Sequence, residues 1–128
     1  MSTELTLLAW SAVLAFVQMC STAGFITLTQ GFAVSLGNRA GFAPAEGTLT
    51  RAIRAHRNMI ESFAVFAAAV LVAHAAGREN WLTTLGAELF LFGRLAYAAL
   101  YIAGVPYLRT AAWTVAITGI LLVLFRLF

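Results

Sequence analysis

The chain has 128 residues, 62% hydrophobic and only 10% charged, with a formal net charge of +3 and a mean hydropathy of +0.90. Soluble domains carry roughly a quarter charged residues, and one water-soluble core of this length cannot hide so much apolar surface. The positive charge is small and scattered among apolar runs, which argues against a nucleic-acid partner.

A membrane span takes about 20 mainly apolar residues. The composition therefore predicts an all-α integral membrane protein, a bundle of four transmembrane helices in a single domain over residues 1–128. The first apolar run covers about residues 5–37 and follows Met1–Glu4, which has no basic residue. It is too long for the core of a signal peptide and reads as an uncleaved helix. Gly37, Asn38, Gly41, Pro44 and Gly47 then mark a loop. A second helix is expected over about residues 48–76, capped by Thr48 or Thr50 with Arg51 in its first turn. It starts polar, as RAIRAHRNMIES, and turns apolar from Phe63 to Ala76. Gly77, Arg78, Glu79 and Asn80 form a tight connection to a third helix over about 81–103. Gly104 and Pro106 break that helix, and a fourth is expected over about 109–127.

All eight basic residues are arginine. Arg39, Arg51, Arg54, Arg57 and Arg109 fall on one side of the predicted membrane. The other side has Arg78, balanced by Glu79, and Arg126 near the end of the chain. The positive-inside rule places both termini on the non-cytoplasmic side, and the short, alanine-rich chain suits a bacterial inner membrane. Trp10, Trp81 and Trp113 are candidate interface anchors.

Two helical constellations carry the chemistry. Arg51, Arg54, Asn58 and Glu61 are spaced three, four and three apart and fall within an arc of about 80°. Arg57 lies at the edge of that arc, and His56 points the other way. In the third helix Arg94, Tyr97 and Tyr101, spaced three and four, share a face. Arg94 lies deep in its span, where a charge costs roughly 2.5–3.5 kcal/mol and must face protein or water. Glu61 cannot neutralise Arg51, Arg54, Arg94 and Arg109 together, so charge counting points to a ligand with more than one carboxylate or phosphate. Glu88 is a carboxylate inside a span and is expected to contact another helix or a subunit partner. His74 and the lone Cys20 read as packing residues, and Gln18 and Gln30 as polar contacts between helices. Two distant histidines and one cysteine argue against a metal site, and no nucleotide-binding or metalloprotease motif occurs.

The segment RAIRAHRNMIESF resembles the signature of the MAPEG family, the membrane-associated proteins in eicosanoid and glutathione metabolism, with Arg51, Arg54, Asn58 and Glu61 on its pattern. The stretch FGRLAYAALYIAGVPYLR is similar to the family's third helix and following loop, through Arg94, Tyr97 and Tyr101. The resemblance covers essentially the whole chain. It implies a homotrimer of four-helix subunits, glutathione as co-substrate between neighbouring subunits near the cytoplasmic face, and lipophilic molecules or lipids as partners. Carried over, Arg51, Arg54, His56, Asn58, Glu61, Arg94, Tyr97 and Tyr101 line the glutathione site. Arg109 matches the family's catalytic arginine, and Arg39 the basic residue ending the first helix. Ser62 stands where some eicosanoid-forming members have a glutathione-binding tyrosine.

The resemblance implies a glutathione-dependent transferase or peroxidase acting on lipophilic electrophiles through an arginine-stabilised thiolate. One branch of the family is not catalytic, so a lipid-binding protein of the same fold is the alternative. A small four-helix transporter ranks last, since Glu88 is its only candidate coupling carboxylate.

Overall fold

A computed structural model of the chain describes residues 1–38, 42 and 47–128. Its helices are α1 (Thr3–Gln30), the short α2 (Phe32–Leu36), α3 (Thr48–Ala75), α4 (Trp81–Ala103) and α5 (Pro106–Phe125). Four of them, α1, α3, α4 and α5, are long and apolar enough to cross a membrane. Arg39 lies outside the described residues.

The helix boundaries follow from local chemistry. Ser2 caps α1 by accepting a hydrogen bond from the Leu5 amide at 3.3 Å. The expected first helix does not continue to Gly37. It stops at Gly31, whose φ of 89° lies in a region that a Cβ disfavours, and α2 follows as a separate turn and a half. The fourth helix starts three residues earlier than expected, at Pro106. Proline at the first helical position loses no hydrogen bond, because that amide has no intrahelical partner.

Two tight turns set the antiparallel packing. Gly104 ends α4 with φ 77°, and its amide bonds Tyr101 O while the Val105 amide bonds Leu100 O. Gly77 ends α3 in the same way, with Arg78 N reaching Ala73 O at 2.9 Å. Asn80 then opens α4 with a capping box completed by Thr83.

The tightest interface is α4 against α5. A Cβ on Gly93 would lie 2.8 Å from Ala116 N, and one on Gly86 would lie 2.7 Å from Gly119 O. Small residues let these backbones touch, which is how helices associate where lipid removes the hydrophobic driving force. Above this seam, Phe66 of α3 stacks on Phe90 of α4 at 4.0 Å between centroids. Met59, Val70, Ala116, Ile120 and Val123 complete the packing. Large apolar side chains such as Trp10, Phe16, Phe92 and Leu121 point outward, as lipid-facing residues do. Thr110, Thr114 and Thr118 satisfy their hydroxyls on the carbonyl four residues back.

At the end where α1 and α4 begin, a polar cluster ties the elements together. Glu4 is 5% exposed, and its carboxylate accepts from Thr83 Oγ1 at 2.8 Å and Thr84 Oγ1 at 2.7 Å. Ser2 Oγ donates to Glu79 Oε1, which shares its carboxylate with His74 Nδ1 at 3.1 Å. Arg78 donates to Leu127 O at 2.9 Å and so fixes the chain beyond α5.

Candidate functional site

The opposite end of the bundle, where α3 and α5 begin, holds the arginines. The seam of small residues brings the last turns of α4 against the first turns of α5. Tyr101 and Arg109, eight residues apart across the Gly104–Val105 turn, therefore face each other. The Arg109 guanidinium lies 4.5 Å from the centroid of the Tyr101 ring. Tyr101 packs on Tyr97, with centroids 5.3 Å apart and planes inclined by 59°. The Arg94 guanidinium in turn lies 4.5 Å from the Tyr97 centroid. The result is a ladder of cation, ring, ring and cation, running from the bundle interior to its surface.

Alongside the ladder is a cleft of about 340 Å³ lined by Asn58, Tyr97, Tyr101, Arg109, Thr110 and Trp113. Tyr97 is almost buried and Arg94 is 1% exposed. Arg94 Nη1 donates to Asn58 Oδ1 at 2.8 Å, and Nε approaches Met59 Sδ at 3.3 Å. Its Nη2 is buried and has no hydrogen-bond partner among the described residues. No carboxylate pairs with Arg94 or Arg109 among the described residues. The cleft thus presents positive charge, phenols and an amide, with no counter-ion among the described residues.

The remaining sequence candidates stand apart from this cleft. Arg51 donates from Nε to Ile102 O at 3.2 Å and from Nη2 to Thr48 Oγ1 at 3.3 Å. It thereby satisfies a carbonyl left open at the end of α4. Glu61 pairs with Arg57 at 3.3 Å, not with the stripe arginines, and both side chains are largely exposed. Arg54 is exposed and makes no hydrogen bond or ion pair among the described residues. His56 faces α1, lining a separate cavity of about 240 Å³ with Met19, Thr22, Ile26 and Ile53. Glu88, expected to meet another helix, is exposed on α4 with no partner among the described residues.

The family model for MAPEG proteins matches residues 7–128. The chain belongs to the MAPEG family. Among curated proteins and solved structures, none matches it. As a MAPEG protein it is a multi-pass integral membrane protein of the family of glutathione and eicosanoid metabolism, built as a four-helix membrane bundle.

Of the MAPEG residues named from the sequence, the fold gathers Asn58, Arg94, Tyr97, Tyr101 and Arg109 in and behind one cleft. Thr110 and Trp113 were not singled out for this site. Their spacing from Arg109, one and four residues on, puts all three on one face of α5, and that was the available signal. Met59, which meets the Arg94 side chain, gave no signal, as an apolar residue off the polar stripe.

Proposed function

We propose that the protein is a membrane-bound glutathione-dependent transferase or peroxidase acting on lipophilic electrophiles. The observation that carries this reading is the cleft between α3, α4 and α5, in which Arg109 stands at the rim over Tyr101 with no carboxylate beside it among the described residues. Glutathione supplies the missing charge with two carboxylates, and its thiol supplies the chemistry.

A free thiol has a pKa of about 8.5, so only about 3% is thiolate at pH 7. A guanidinium donating to sulfur that lowers this by about two units provides roughly 2.7 kcal/mol of anion stabilisation. Most of the bound thiol is then ionised at neutral pH. In conjugation, the sulfur forms a bond to the electrophilic carbon while the leaving group departs with its electron pair. The thiol proton has already gone to solvent. In peroxide reduction, sulfur takes the outer oxygen of a lipid hydroperoxide and releases the alcohol. A second glutathione then gives the disulfide and water.

Arg109 is assigned as the thiolate stabiliser. Asn58, Tyr97 and Tyr101 bind the tripeptide beside it. In this reading the arginine-rich end lies at the cytoplasmic face, where glutathione is available, and both termini lie on the other side. Arg51, Arg54, His56 and Glu61 do not line the cleft of their own subunit. A homotrimer gives them a role at the boundary with a neighbouring copy, where part of each glutathione would be held. Lipophilic substrates arrive laterally, past Trp113.

A second reading, a non-catalytic lipid binder of the same fold, is favoured by a different observation. An almost wholly apolar groove of about 480 Å³ runs between α1 and α4, lined by Leu7, Trp10, Leu14, Val17, Leu91 and Phe92 among others. Adding glutathione to the purified protein and following absorbance in the thiolate band separates the two. Growth of the band, followed by turnover of a chromogenic electrophile, supports the enzyme. A silent titration favours the lipid binder.

A further inference from the structure

Arg94 is on the same helical face as Tyr97 and Tyr101, yet it does not line the cleft. Its side chain is closed over by Met59, Tyr97 and Asn58 and is only 1% exposed. We propose that Arg94 is a positioning residue that meets no ligand and works by fixing the orientation of the Asn58 side chain.

The reasoning starts from hydrogen-bond inventory. A guanidinium has donors and no acceptor, so the carboxamide atom facing Arg94 Nη1 at 2.8 Å must be the oxygen. The amide NH₂ is then turned away from Arg94. Asn58 also lines the cleft, and the NH₂ is the part left to face it. With Arg94 in place, Asn58 offers the ligand two N–H donors. Without a donor at position 94, the amide is free to turn its oxygen outward, and an anion in the cleft would meet an acceptor. Met59 and Tyr97 hold the guanidinium plane in place, by a sulfur contact at 3.3 Å and a ring contact at 4.5 Å. Arg94 thereby keeps the Asn58 donors facing the cleft without touching what binds there.

The inference deepens the glutathione reading and rests on it for its binding readout, so the test includes one measurement that does not. The protein has three asparagines, Asn38, Asn58 and Asn80. Asparagine-selective ¹⁵N labelling therefore gives a resolvable Asn58 carboxamide signal without ligand. In the wild type it is a single, slowly exchanging NH₂ pair. Arg94→Lys keeps a donor-only group and retains that signature. Arg94→Met removes the donor and yields averaged or doubled signals. An unchanged signal in Arg94→Met would overturn the proposal.

The binding readout is a double-variant cycle with glutathione. Asn58→Ala and Arg94→Met each weaken glutathione about 10-fold, the loss of one hydrogen bond to a charged group, and the double variant is no weaker than either. Additive losses, about 100-fold in the double variant, mean that Arg94 acts on the ligand independently and refute the assignment. Should Arg94→Met not fold, Arg94→Leu takes its place in the cycle: a double variant with Asn58→Ala that is no weaker than either single supports positioning, and additive losses contradict it. If the wild type binds no glutathione, the functional reading falls while the carboxamide signal still decides the role of Arg94.

Discussion

The Arg109 guanidinium and the Tyr101 ring face each other at 4.5 Å across a two-residue turn, and this contact joins the fold to the proposed chemistry. It exists because Gly104 adopts φ 77° and α5 begins at once on Pro106. A longer loop would leave Arg109 free to reach lipid headgroups. With it held over an aromatic face, the guanidinium edge remains available to an anion in the cleft.

Replacing Arg109 by Leu removes the proposed thiolate stabiliser and leaves Asn58, Tyr97 and Tyr101 in place. Turnover of a chromogenic electrophile at pH 7 is expected to fall by about 20-fold or more, the ratio between a mostly ionised and a free thiol. Glutathione affinity, measured by calorimetry, should change far less. Unchanged turnover removes the assignment.

The α4–α5 seam makes a prediction about stability. A Cβ at Gly119 would run into the Gly86 carbonyl oxygen, whereas one at Gly24 would meet nothing within 4 Å. Gly119→Ala should therefore destabilise the protein by about 1–3 kcal/mol and reduce activity, because the seam positions Tyr101 against Arg109. Gly24→Ala should be neutral or slightly stabilising. Thermal unfolding in detergent compares the two, and equal behaviour would show that the backbones do not touch.

The α3–α4 connection responds to pH through Glu79. The Ser2 hydroxyl, and then His74, hold its carboxyl below the ordinary value of 4.5, against a smaller opposing effect of burial. A depressed folded-state pKa contributes stability that is complete above the unfolded value and is lost as pH falls through the folded one. The melting temperature should hold from neutrality to about pH 5 and then decline in part through Glu79. Glu79→Gln should flatten that part of the decline, and an unaltered profile would place the pH sensitivity elsewhere.

Glu4 gives a related test. Its carboxylate is buried and accepts from Thr83 and Thr84, which ties the start of α1 to the start of α4. Glu4→Ala breaks both bonds between α1 and α4, although the two hydroxyls can still donate to the Asn80 carbonyl, and should lower stability by about 1–3 kcal/mol. Glu4→Gln, which keeps an oxygen there, should recover much of the loss. A fully tolerated alanine would mean that the tie is absent in the membrane.

What the sequence made legible was periodic. Four apolar runs place the four long helices, and spacings of three and four put Arg94, Tyr97 and Tyr101 on one face of α4, whereas Arg51 of the polar stripe stands apart from the cleft that Asn58 lines. It was silent where a single residue or a long side chain decides. Gly31 sits inside a long, mainly apolar run that resumes at Phe32, so its backbone angle is what reveals the end of α1. Pro106 reads equally as a helix breaker and as a helix start. Arginine side chains reach several partners, and what lies across from them sets the choice. Arg51 finds the Ile102 carbonyl at the end of α4, and Arg57 takes Glu61. Glu4 looked like an ordinary N-terminal residue because its threonine partners lie 79 and 80 positions away.

The most direct measurement is the thiolate absorbance of glutathione bound to the purified wild-type protein, followed as pH is raised. The expected result is a band that is already strong at pH 7, with a midpoint about two units below that of free glutathione, and that is absent in Arg109→Leu at saturating ligand. A midpoint equal to that of the free thiol, or an identical curve for the two proteins, would contradict it.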